Sequence, residues 1–169
     1  MYQRINVCIP NDSIQETCIF CERFYDEALE KNKKLNEIEI TRLKNTYLFF
    51  ADFNEPYCLW DKVLTEFIDT FYLYEQNLLI LYIDEDFSKK NSSRIDEVNT
   101  YIDKLLMNRN AQCSIAVCID NKENEEAIFE FCNYYITNRS IKTIRHSCYA
   151  DDNNVSIISG VDIPIFDTL

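Results

Sequence analysis

Glycine occurs once in this chain of 169 residues, at Gly160, and proline three times. Average usage is about 7% and 5% respectively. Loops that wrap a phosphate depend on glycine, because only glycine adopts positive φ freely and lets a ligand approach the backbone. A phosphate-binding P-loop and a glycine-rich dinucleotide fingerprint are therefore excluded. Long apolar runs are missing too. No stretch approaches the 18 residues of a membrane-spanning helix. The first residues, MYQRINVCIP, lack the apolar core of a secretory signal, which sets the expectation of a cytoplasmic, reducing setting. The eight cysteines are then expected as free thiols, most of them small buried hydrophobes.

Positive charge is also scarce. Lys and Arg number 17 against 29 Asp and Glu, a net charge of −12. Such a surface repels nucleic-acid backbones and anionic membranes, and it favours a basic partner through steering and complementarity. The imbalance sits in residues 35–86, with 11 acids and 3 bases, whereas residues 87–140 are nearly neutral. The wealth of Asn, Lys, Ile, Tyr and Phe suggests an AT-rich genome, viral or bacterial.

What is present is an apolar share of 47%, enough for one globular domain over 1–169. The strongest signal is Asn77–Asp86, NLLILYIDED. An unbroken apolar run this long suits a strand covered on both faces, with Asp84, Glu85 and Asp86 at its carboxyl edge. Gln112–Ile119 is a second buried strand, and Tyr2–Ile9 alternates as a strand near an edge. Ser13 to Glu16 forms a capping box for a helix to about Lys34. Ile40, Leu43, Tyr47 and Phe50 fall at helical spacing after Asn36, although EIEIT also alternates. Trp60, Val63, Leu64, Phe67, Ile68 and Phe71 predict a helix over Glu55–Glu75. Helices are also expected from Ser92 or Ser93 to about Asn108 and from Asn121 to Asn138. Ile141–Tyr149 and Val155–Ser159 are expected to form a hairpin around the turn at 151–154. Alternating strands and helices imply a three-layer α-β-α sandwich with a mainly parallel, mixed sheet and an antiparallel C-terminal hairpin at one edge.

Four groups of residues could carry chemistry. Asp84, Asp86 and Asp120 end two strands where open α/β sheets bind ligands, and together they could serve a metal-dependent phosphoryl-transfer or nuclease-like reaction. His146 with Cys118 or Cys148 could form a thiol pair. Cys18 and Cys21 have the spacing of a zinc knuckle. Cys113 and Cys118 do not, since an odd step along a strand sends them to opposite faces. The fourth group is an acidic, aromatic surface around residues 49–60, FFADFNEPYCLW. There Asp52, Glu55, Tyr57, Asp61, Glu66 and Asp69 could meet a partner.

The leading expectation is a small acidic binding protein that occludes a basic protein, such as an immunity protein for a nuclease toxin or a viral antagonist of a host nucleic-acid-binding protein. It needs no cofactor or metal. The rivals are the carboxylate-based enzyme and a non-catalytic accessory subunit.

Overall fold

The computed structural model describes residues 3–5, 45–54, 58–120 and 125–166. In chain order the elements are β1 (Gln3–Ile5), β2 (Asn45–Phe50), α1 (Trp60–Phe71), β3 (Asn77–Asp84), α2 (Glu85–Lys90), α3 (Ser92–Arg109) and β4 (Ser114–Asp120). A 3-10 helix (Ala127–Phe131), β5 (Tyr134–Ile136), α4 (Thr143–Asp152) and β6 (Ser156–Ile158) follow. The strands form one sheet in the order β1-β4-β3-β2-β5-β6, and every described pair is parallel.

The sheet is built round β3. No residue from Leu78 to Ile83 exposes more than 2% of its surface. Successive side chains of a strand point to opposite faces, so burial on both sides demands cover on both sides. Tyr47, Phe49, Leu79, Leu81, Ile115 and Val117 face α1 and α3. Leu48, Phe50, Ile80, Tyr82, Ala116 and Cys118 face the 3-10 helix and α4. The result is an α/β fold whose strand order is that of a three-layer sandwich. The helix α1 buries Trp60, Val63, Leu64, Phe67 and Ile68, the apolar stripe expected of it. In α3 the stripe is Ile95, Val98, Ile102 and Leu106. Among the described residues, no helix is long and apolar enough to cross a membrane.

Three segments differ from the sequence reading. The end of the segment read as a helix after Asn36 is the strand β2. Its residues Thr46–Phe50 are all buried, so the helical spacing of Tyr47 and Phe50 coincides with a strand that is apolar on both faces. Residues 127–138 hold a short 3-10 helix and a strand in place of the tail of a long helix. The expected strand Ile141–Tyr149 is instead a turn that leads into the helix α4, with Ile141 before the helix and Ile144 in it 82% and 71% exposed, and His146 and Ala150 buried one turn apart. That replaces the antiparallel hairpin. β6 joins β5 in parallel through the α4 crossover. The capping-box helix from Ser13 and the Cys18–Cys21 pair lie outside the described residues, as do Glu55 and Tyr57.

The last segment is clamped onto α1. Lys62 Nζ donates to the carbonyls of Gly160 and Asp162, and Glu66 Oε2 accepts from Ile165 N–H at 2.7 Å. Ile165 and Phe166 are thereby buried, with the Phe166 ring 5.6 Å from Tyr47. The single glycine sits at a close approach. A Cβ on Gly160 would lie 2.1 Å from the Thr137 carbonyl oxygen. Gly160→Ala is expected to cost about 2 kcal/mol, as overpacking against backbone does. The check is a chemical-denaturation midpoint. An unchanged midpoint would show that the backbone at Thr137 yields freely to the added methyl.

Candidate ligand-binding cleft at the carboxyl edge

In the sheet order, β2 and β5 are neighbours whose outgoing connections part company. β2 leads into α1 on one face, and β5 leads into α4 on the other. Such divergence opens a crevice beyond the carboxyl ends of the two strands, the usual ligand site of open α/β sheets. A cleft of about 240 Å³ lies there. Phe50 at the end of β2 and residues 51–54 after it, Asp84 at the end of β3 with Asp86 and Phe87 after it, Asn138 and Ser140 after β5, and Lys142 and His146 of the α4 segment all line it. Lys90, Asn91, Tyr82 and Glu125 complete the wall.

The rim between β2 and β5 is locked by side chains. Asn138 Nδ2 donates to the Phe50 carbonyl at 2.8 Å, while its Oδ1 accepts from Ser140 N–H and Thr143 Oγ1 at 2.8 and 2.7 Å. Ser140 Oγ donates to Asp52 Oδ2 at 3.0 Å, and Asp52 Oδ1 accepts from Asn54 N–H at 3.1 Å. Lys142 Nζ stands 4.0 Å from Asp52. The Asp52 carboxylate is therefore held in the cleft by both strand ends. On the other side Asp84 Oδ1 accepts from Phe87 N–H at 3.1 Å, capping α2. Phe87 stacks on Phe53 with ring centroids 4.9 Å apart, an apolar patch over which Arg94 sits at 5.6 Å.

The deepest polar group is a carboxylate–histidine pair. His146 is 1% exposed and stacks on Phe50 with centroids 3.9 Å apart. Its Nε2 lies 3.1 Å from Glu125 Oε2, which also accepts from Arg145. Burial would raise the Glu125 carboxyl. The hydrogen bond from His146 and the charges of Lys142 and Arg145 outweigh it and hold the group below the usual carboxylate range. Tyr82 lies in the same field. Its hydroxyl is pushed up by burial, then by Cys118 and the carboxylates of Asp120, Glu125 and Asp84.

The structure places the sequence candidates unevenly. Asp84 and Asp86 line the cleft. Asp120 is the register partner of Asp84 across β3 and β4, 7% exposed, and does not line it. Among the described residues, no group of three or more His, Cys, Asp or Glu is placed to hold a metal ion. Asp52 also belongs to the cleft, whereas Asp61, Glu66 and Asp69 lie on α1. Glu66 binds the C-terminal segment, and Asp69 pairs with Arg109 at 2.7 Å. Asp61 caps the neighbouring Lys62 N–H at 2.8 Å and is exposed. Cys113 and Cys118 face opposite sides of the sheet, and burial pushes the Cys113 thiol up to about 12. His146 bonds to Glu125 rather than to a thiol. Glu125, Asn138, Ser140 and Lys142 carry no site signal in the sequence: Glu125 and Asn138 fall within the helix expected over Asn121–Asn138, and the strand-to-helix passage of residues 134–152 runs opposite to the expected order.

No protein-family model matches the chain, and no curated protein matches it.

The Glu125 shift has a sign that can be tested. A lowered folded value means that the pair stabilises the fold above the ordinary carboxylate range, and that this contribution is lost as pH falls through the folded value. Glu125→Gln is expected to cost about 2 kcal/mol at pH 7, as for a hydrogen bond to a charged group. The difference between the variant and the parent should shrink in acid below about pH 4. Denaturation midpoints across pH provide the measurement, and a gap that widens in acid would contradict it.

Proposed function

We propose that the chain is a small-molecule-binding α/β domain that takes a compact, polar organic ligand in the carboxyl-edge cleft. The observation that carries this reading is convergence. The crevice lies where the sheet's winding reverses, and polar groups from four separate segments meet there beside aromatic walls. Sites for small ligands combine apolar walls with a few fixed polar groups in this manner. At about 240 Å³ the cleft is below the range of about 300–1,000 Å³ usual for drug-sized ligands, which supports a compact one.

The test is a thermal-shift screen with small polar compounds against the whole chain. A true ligand at 100 times its Kd should add about 2.7 kcal/mol of stability. Asp52→Asn should weaken it about tenfold, the worth of about 1.4 kcal/mol, and so should Asp84→Asn, which keeps an efficient helix cap. Asp69→Asn, on α1, should leave binding unchanged. Equal affinity in all three variants would remove the cleft from the reading.

A second reading, capture of a basic protein, is supported by the net charge of −12. It predicts association with a cationic nuclease that weakens steeply as salt rises. Binding that is absent or indifferent to salt would dismiss it.

A further inference from the structure

The cleft is crowded with acceptors. Asp52, Asp84 and Asp86 line it, and Glu125 and His146 form its deepest polar group. An acceptor-rich site calls for a ligand that brings donors. Metal ions are poorly served, since no three such groups are placed for one among the described residues. A phosphate would face the carboxylates with no glycine in the 51–54 loop to bare the backbone. A compact cation would meet Lys90 and Lys142 on the same wall. Hydroxyl groups avoid all three conflicts. They donate to carboxylates without carrying charge, and they accept from lysine.

The histidine supplies an independent observation. His146 lines the cleft and is 1% exposed, yet its Nδ1 is buried without a hydrogen-bond partner. Unpartnered buried polar atoms are rare in folded proteins and call for an explanation. The other ring nitrogen settles the tautomer. The Glu125 Oε2 that faces it also accepts from Arg145, so Nε2 donates to it. In a neutral imidazole Nδ1 is then a bare acceptor.

We infer that the cleft binds a vicinal diol, of the kind a monosaccharide or a ribose presents, with one hydroxyl donating to His146 Nδ1 and its neighbour to a cleft carboxylate. Glu125 is the positioning residue that fixes the ring. Phe50 and the stacked Phe53–Phe87 pair give the carbon skeleton of the ligand an apolar surface. This inference rests on the ligand-binding reading above.

His146 is the one histidine of the chain, so its imidazole nitrogens give a unique NMR signal. In the free protein the neutral ring should be the Nε2–H tautomer. Titration with adenosine and with methyl α-D-glucoside, at millimolar concentration, separates a nucleoside source from a saccharide source. The binding diol should move the Nδ1 resonance while the Nε2–H bond persists. Its 2,3-dideoxy analogue should bind at least tenfold more weakly. His146→Gln keeps a donor toward Glu125 but has nothing at the Nδ1 position, and it should lose tenfold or more in affinity. Inorganic phosphate and tetramethylammonium form the control arms. A neutral Nδ1–H tautomer, a dideoxy analogue that binds equally well, or failure of both diols to bind would overturn the inference. If a control ion then perturbs the Asp52 and Asp84 amides, the cleft reading stands without the diol. If no probe perturbs them, both fall.

Discussion

Burial of β3 on both faces is the constraint from which the rest follows. A strand that exposes nothing from Leu78 to Ile83 needs apolar cover above and below the sheet. Helices supply it, and helices long enough to cover a sheet return the chain in parallel register. Parallel pairing in turn brings every carboxyl end to one edge. Asp84 stands beside Asp120 there, and Phe50 beside Tyr82, because the register of β2, β3 and β4 leaves no alternative. The polar edge is thus a consequence of the apolar centre.

The direction of winding converts that edge into a cleft. The chain moves from β2 through β3 to β4 and then returns to the far side of β2 to lay down β5 and β6. Two neighbouring strands, β2 and β5, consequently send their loops to opposite faces. Asn138 and Ser140 bridge the gap by bonding to Phe50 and Asp52. These short polar side chains do two things at once. They satisfy strand-end backbone groups that would otherwise be orphaned, and they hold the Asp52 carboxylate in place.

The centre of the fold was legible in the sequence because β3 and β4 are continuous apolar runs and α1 has a clean stripe. The edge acids Asp84 and Asp86 followed from that strand's end. The second half of the sheet was not legible. β2 is apolar on both faces, so it shows no period of two, and its Tyr47 and Phe50 imitate a helical step. β5 has three residues, too few for any period to emerge. The exposed Ile144 in α4, and Ile141 just before it, disguise the buried side of the helix, which consists of His146 and Ala150. The cost of that misreading is concentrated at the site. With 141–149 taken as a strand, His146 falls at a rim near cysteines. With it a helix, the ring turns onto Phe50 and reaches Glu125, 21 positions earlier in the chain.

The missing glycine determines what kind of site this strand order can make. From β2 onward the sheet runs 3-2-1-4-5, the order of the doubly wound dinucleotide-binding folds. In those folds the loop after the first strand is bare of side chains so that a pyrophosphate can lie on the backbone. Here the equivalent loop is Ala51, Asp52, Phe53 and Asn54, every one of which carries a side chain. Asp52 is fixed toward the β5 loop, and Phe53 is stacked on Phe87 beyond β3. A diphosphate approaching this loop would meet a carboxylate in place of amide groups. The neighbouring strand β3 ends on an acid, Asp84, which lines the same cleft. The architecture therefore keeps an acid at the end of the second strand while the loop after the first carries side chains in place of bare backbone.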